Sequence, residues 1–180
     1  SATAGLHLAI EAAGVVAGDE VITTTHTFTA SAEVIRYLGA EPVIVDIEPS
    51  SWCIDPAQIE RHITARTKAI IPVHFGGRSA NMTAIHAIAK KHGLKVIEDA
   101  AHSLPATHGG KMIGTLPSDA TVFSFYANKT MTTGEGGMLV TRDEALAQRA
   151  RLMRLHGFAR GALARFDSCV WALRYDIIAT

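Results

Sequence analysis

One lysine stands in the run Phe123-Ser124-Phe125-Tyr126-Ala127-Asn128-Lys129-Thr130-Met131-Thr132-Thr133-Gly134-Glu135-Gly136-Gly137. An apolar, aromatic stretch passes there into a polar loop, and the loop presents Lys129 ahead of a glycine-rich turn. A lysine held at the end of a buried strand can be partly desolvated. That lowers its pKa and makes the amine nucleophilic, as a Schiff-base lysine requires. An ordinary exposed loop lysine has the same local sequence, so the rest of the chain must decide between them. Asp99 closes the apolar run Leu94-Lys95-Val96-Ile97-Glu98-Asp99, and His102 follows three residues later. A carboxylate at such a strand end either caps a helix or pairs with a cation. The nine histidines show no HxxxH or HExxH spacing, and Cys53 and Cys169 form no CxxC motif, so no metal site is expected.

Hydrophobic spacing supplies the elements that would hold these groups. Strands are expected at Val21–Thr25, Glu41–Ile47, Lys68–Phe75, Leu94–Asp99, Ala120–Phe125 and Gly137–Thr141. The run at Glu41–Ile47 is almost continuously apolar, as in a strand covered on both faces. Helices are expected from Thr3 to Gly14, Phe28 to Leu38, Asp55-Pro56 to Ile63, Met82 to His92 and Asp143 to Leu155. Alternation of this kind predicts a three-layer α/β/α sandwich on a mostly parallel sheet. Ligands in such sheets bind beyond the carboxyl ends of the strands. Thr25, His26, Thr27, His74, Asp99, His102 and the Ser124–Lys129 run all fall there. The segment after Gly157 is poorly periodic.

The bulk numbers narrow the function classes. The chain has 180 residues, 48% hydrophobic and 19% charged, which suits one folded domain with a sizeable core. Lys+Arg and Asp+Glu both number 17, without a basic block, so neither nucleic acid nor an anionic membrane surface is an expected partner. Apolar runs fall short of membrane-spanning length and no secretory signal is visible. Two isolated cysteines fit a reducing, cytoplasmic compartment. The chain opens on Ser1-Ala2-Thr3-Ala4-Gly5 and closes on Tyr175-Asp176-Ile177-Ile178-Ala179-Thr180, which reads as a fragment of a longer protein.

Asp99-Ala100-Ala101-His102 and Ser124–Gly137 resemble motifs of the DegT/DnrJ/StrS family of pyridoxal-phosphate sugar aminotransferases, which belong to the aspartate-aminotransferase-like fold type I. The likeness extends through Gly18–Thr23, Gly39–Val43, Thr67–His74 and Val96–His102, in the family's order. It implies a cofactor-binding large domain over residues 1–157, incomplete at its N-terminus. Residues 158–180 would then connect toward a C-terminal small domain.

The resemblance also implies roles. Lys129 matches the lysine that holds pyridoxal 5′-phosphate as a Schiff base and later shuttles the substrate proton. Asp99 matches the carboxylate on the pyridine nitrogen, and Phe28 the aromatic that stacks on the ring. His102 matches a His or Gln near the phenolic oxygen. Thr3 and Ala4 match the phosphate turn at a helix N-terminus, and Ser124 a serine that reaches the same phosphate. Ala2 stands where many members carry glycine.

The implied reaction is amino transfer, with glutamate as donor, to a nucleotide-linked keto-sugar in a homodimer with a shared active site. The fragment alone is expected to be inactive. Two alternatives stay open. Sugar dehydratases of the family carry histidine in place of the lysine, which Lys129 argues against. A non-catalytic sensory or structural relative is the other.

Overall fold

The computed structural model describes residues 1–157. The expectations for Cys169, for Tyr175–Thr180 and for the connecting segment 158–180 lie outside the described residues. Strands β1 (Glu20–Thr24), β2 (Glu41–Val45), β3 (Thr67–Ile70) and β4 (Lys95–Asp99) are followed by a small hairpin, β5 (Thr107–His108) and β6 (Lys111–Met112). Then come β7 (Ala120–Ser124) and β8 (Gly137–Val140). Helices α1 (Ala2–Ala12), α2 (Ala30–Tyr37), α3 (Pro56–Arg61), α4 (Met82–His92) and α5 (Glu144–Met153) are interleaved with them. The main sheet has the order β2-β1-β3-β4-β7-β8. All its pairings are parallel except β7 with β8.

Strand alternation divides the core into two layers. Val21, Ala69, Ile71, Ile97 and Val122 pack with Leu6, Ile10, Val34, Ile35 and Leu146, so α1, α2 and α5 cover one face. Ile22, Ile70, Val96 and Phe123 pack with Ile59, Met82 and Ile85, so α3 and α4 cover the other. Side chains of successive strand residues point to opposite faces. Asp99 therefore shares the face of Ile97, toward α1 and α2, and Glu98 shares that of Val96, toward α4. The three-layer sandwich expected from the alternation is what forms.

Helix boundaries follow from side-chain capping. Ser1 Oγ accepts from Ala4 N–H, Asp55 from Ala57 N–H, Asn81 from Ala84 N–H, and Asp143 from Ala145 and Leu146 N–H. Pro56 opens α3, and Gly93 in the left-handed region ends α4.

Some expectations give way. β3 stops at Ile70, because Pro72 has no N–H for a ladder; only a bridge from Val73 to Asp99 continues it. Phe75, expected in that strand, starts a short 3-10 turn, Phe75–Gly77. β2 is a sheet edge with Ile44 51% exposed, so its apolar run does not mark a doubly covered strand among the described residues. The β5–β6 hairpin was not anticipated, although Gly109-Gly110, both with positive φ, is a hairpin turn signal. Phe28 precedes α2 instead of lying on it, and is 75% exposed.

Candidate cofactor and active site

The carboxyl ends of β4 and β7 and the N-terminus of α1 meet at one edge. β4 ends on Asp99, which is 5% exposed. Its backbone is clamped to the neighbouring strand: Asp99 N–H donates to Pro72 O (2.9 Å) and His74 N–H donates to Asp99 O (3.1 Å). Its carboxylate is held from two sides. Ser31 Oγ donates to Oδ2 at 2.7 Å, and Ala101 N–H donates to Oδ1 at 3.1 Å. Ser31 is paired in turn with Thr27 Oγ1 at 2.7 Å. A carboxylate has about four acceptor sites. Two are used here, which leaves Asp99 able to accept from a cationic N–H.

β7 ends on Ser124, directly opposite Gly137 of β8. Ser124 has the parity of Val122 and so faces the α1 layer. Gly137 is what brings the two elements together: a Cβ there would stand 2.7 Å from Ser1 C and 2.8 Å from Ala2 N. The first turn of α1 can lie against Ser124 only because residue 137 has no side chain. A helix N-terminus carries unpaired N–H groups and a partial positive charge. Ser1 Oγ takes the Ala4 N–H at 3.3 Å. The Ala2 and Thr3 N–H groups, which helix geometry leaves without an intrahelical acceptor, remain for an anion. Of the expected phosphate pair, Ala4 gives its N–H to Ser1 Oγ.

Lys129 lies on the loop after β7, half-buried, with its N–H on Tyr126 O at 3.0 Å. It lines a cleft of about 240 Å³ with Ala101, His102, Leu104, Ser124, Asn128, Thr130 and Met131. The strand end itself stays buried (Ser124, Phe125), while the loop that follows opens to solvent. His102 Nδ1 accepts from Gly76 N–H (3.4 Å), which leaves the ring proton on Nε2. Partial burial lowers the His102 pKa, the Lys129 ammonium lowers it further, and Asp99 opposes both. Phe28 exposes a free ring face two residues after His26.

The donor set fits a pyridine-ring phosphate. It offers an amine, a buried acceptor for a ring N–H and a helix N-terminus seated through a cradle that a Cβ would fill. Lys129, His102 and Ser124 share the cleft; Asp99 adjoins it through Ala101. Ser31 has no signal in the sequence, whereas Asn128 and Gly137 belong to the lysine-loop run, whose glycines allow close backbone approach. Ser31 sits 68 residues from Asp99, and no local pattern signals the pairing. Among the described residues no cluster of three or more His, Cys, Asp or Glu side chains could hold a metal ion. No helix there is long and apolar enough to cross a membrane.

Comparisons with known proteins agree with this chemistry. The spore coat polysaccharide biosynthesis protein SpsC of Bacillus subtilis is 51% identical over 168 residues, 93% of this chain and 43% of its own length. GDP-perosamine synthase of Caulobacter vibrioides is 49% identical over 155 residues, 86% of this chain and 42% of its own. The crystal structure of NtdA from Bacillus subtilis, solved with bound cofactor PMP, superposes with a TM-score of 0.81 at 38% identity. That match covers 88% of this chain and 35% of NtdA. The chain thus spans less than half the length of these relatives. The profile of the DegT/DnrJ/EryC1/StrS aminotransferases matches residues 1–177, and the chain belongs to that family.

Proposed function

We propose that the full-length protein carrying this chain is a pyridoxal-phosphate-dependent aminotransferase. It would move an amino group, with glutamate as donor, onto a nucleotide-linked keto-sugar. The observation that carries this is the meeting of Lys129, Asp99, His102, Ser124 and the α1 N-terminus at one sheet edge. The NtdA cofactor and the GDP-sugar chemistry in the name of the Caulobacter relative support the cofactor and the substrate class.

When bound, the cofactor supplies an electron-accepting ring. This chain's residues supply the rest. Lys129 Nζ would hold the cofactor and would supply the base that moves the substrate proton. Asp99 would accept from the ring N–H. His102 would donate from Nε2–H to the ring oxygen. Phe28 would cover one ring face. Thr3 and Ser124 would take the phosphate at the positive end of α1. In this proposal residues 1–157 form the large domain and 158–180 lead to a small domain. The protein is cytoplasmic. A second subunit of a homodimer covers the exposed Tyr126, Met131 and Met138 beside the cleft.

The test uses purified full-length protein. It should be yellow, borohydride should bleach the band, and the reduced label should map to Lys129. It should then pass an amino group from glutamate to at least one member of a panel of nucleotide-linked keto-sugars. A colourless protein that takes up no added cofactor would sink the proposal. Dehydration of the sugar without amino transfer would favour the dehydratase alternative.

A further inference from the structure

Four rings, His102, Phe75, His26 and Trp52, are in mutual contact, and His102 among them lines the Lys129 cleft. Phe75 meets His102 edge-on at 5.9 Å. Phe75 also packs on His26 at 3.6 Å, and Trp52 lies 5.4 Å from His26 and 6.2 Å from Phe75 itself. The rings therefore connect a residue lining the cleft to Trp52, two ring contacts away.

Trp52 is 55% exposed, so half of the indole adds nothing to the core. Its φ is +61°, a region that bulky side chains avoid. The chain nevertheless holds it there. Trp52 N–H donates to Glu48 O (2.9 Å), Glu48 N–H to Cys53 O (2.9 Å), Arg78 to Ser50 O (2.6 Å), and His26 Nδ1–H to Trp52 O (3.3 Å). A strained backbone braced to keep an aromatic ring in water points toward a ligand rather than toward stability.

We propose that the Trp52 ring is the stacking platform for the heterocyclic base of the nucleotide-linked substrate. This rests on the amino-transfer reading. The keto-sugar must reach Lys129 inside the cleft. The base sits at the other end of the molecule, across a diphosphate, and must lie on the rim. The rings join His102, which lines the cleft, to the exposed Trp52. Any nucleobase has a π-face that stacks on an indole without sequence-specific hydrogen bonds. Arg78, exposed beside the platform, spends one guanidinium N–H on Ser50 O and keeps others for phosphate oxygens. Glu48, the acid of the same loop, is turned to Ser51 Oγ at 3.0 Å.

Calorimetric titration of the full-length holoprotein with UDP, TDP and GDP, and with pyrophosphate as control, tests this. Wild type should bind at least one nucleoside diphosphate. Trp52→Ala should weaken that binding about tenfold or more, the scale of a base–aromatic stack. Trp52→Phe should recover much of the loss, and pyrophosphate should bind all three proteins alike. Unfolding midpoints confirm that the variants fold. Equal nucleotide affinity in wild type and Trp52→Ala overturns the proposal, as does absence of nucleoside diphosphate binding to wild type. A parallel fall of pyrophosphate binding overturns it too, because a stacking platform acts only on the base. Glutamate alone, added to wild type, tests the amino-transfer reading through the cofactor band without any nucleotide, so the two can fail separately.

Discussion

Ser31 Oγ, on α2, donates a 2.7 Å hydrogen bond to Oδ2 of Asp99, at the end of β4. The bond crosses from helix to sheet inside the protein, where Ser31 is fully buried and Asp99 is 5% exposed. It fixes the plane of the carboxylate that the proposed function assigns to a ring nitrogen. Thr27 backs it through Ser31, so a short relay of hydroxyls ends on the acid.

Replacing Ser31 with alanine removes the donor and leaves Oδ2 free to rotate. A hydrogen bond to a charged group contributes about 1.5–3 kcal/mol. The cofactor dissociation constant of the full-length protein should therefore rise roughly tenfold or more. Ser31→Thr keeps a hydroxyl and should restore most of the affinity. Fluorescence titration of apoprotein with cofactor measures both, and an unchanged constant in Ser31→Ala would show that Asp99 needs no such support.

Lys129→Ala should abolish covalent attachment while leaving the phosphate seat intact. Borohydride should then fail to fix label in the protein, and amino transfer should fall by about three orders of magnitude or more. Mass spectrometry of the reduced protein gives the first result directly.

Gly137→Ala tests the cradle. The added methyl meets backbone of Ser1 and Ala2, which cannot rotate away as a side-chain tip could. The first turn of α1 must move from Ser124, at about 1–3 kcal/mol of overpacking. Cofactor affinity should drop below that of wild type. Equal affinities would mean that α1 does not seat the phosphate.

His74 and Glu98 form a pair with both side chains at 0% exposure, His74 Nε2 lying 2.7 Å from Glu98 Oε2. Ala80 N–H donates to His74 Nδ1 (3.1 Å), which places the ring proton on Nε2, and Thr121 Oγ1 donates to Glu98 Oε1 (3.0 Å). Burial alone would raise the Glu98 pKa; the hydrogen bonds from His74, Ser118 and Thr121 and the field of His74 bring it below the usual carboxylate value. His74→Ala strands that buried carboxylate and should cost about 3–5 kcal/mol of stability. His74→Gln, which keeps a donor, should cost less. Denaturant unfolding of the full-length protein separates the two.

His102 carries a pH signature. Its folded-state pKa lies below the ordinary histidine value, so the unfolded chain binds the proton more readily. Its contribution to stability is complete above about pH 6.5. It is lost as the pH falls from there through the lowered folded value. His86 behaves in the same direction, chiefly through burial. Between pH 7 and 5, His102→Gln should therefore lose less stability than wild type, and adding His86→Gln should flatten the profile further. Thermal unfolding across that range provides the check.

The order of strands and helices was legible in the sequence because each rests on local physics. Period-two and helical spacings, capping at Asp55, Asn81 and Asp143, and glycine stops such as Gly93 all act within a few residues. The placement of Asp99, His102 and Lys129 at or just beyond strand ends was also legible, since the apolar runs that precede them are contiguous in the sequence. What the tertiary structure decided lies between distant segments. Ser31 reaches Asp99, Gly137 admits the α1 turn, and Trp52 joins His26 and Phe75. No pattern within one element encodes these contacts. They exist because sheet order and helix packing bring those segments together, and only packing made Phe28 an exposed face and β2 an edge.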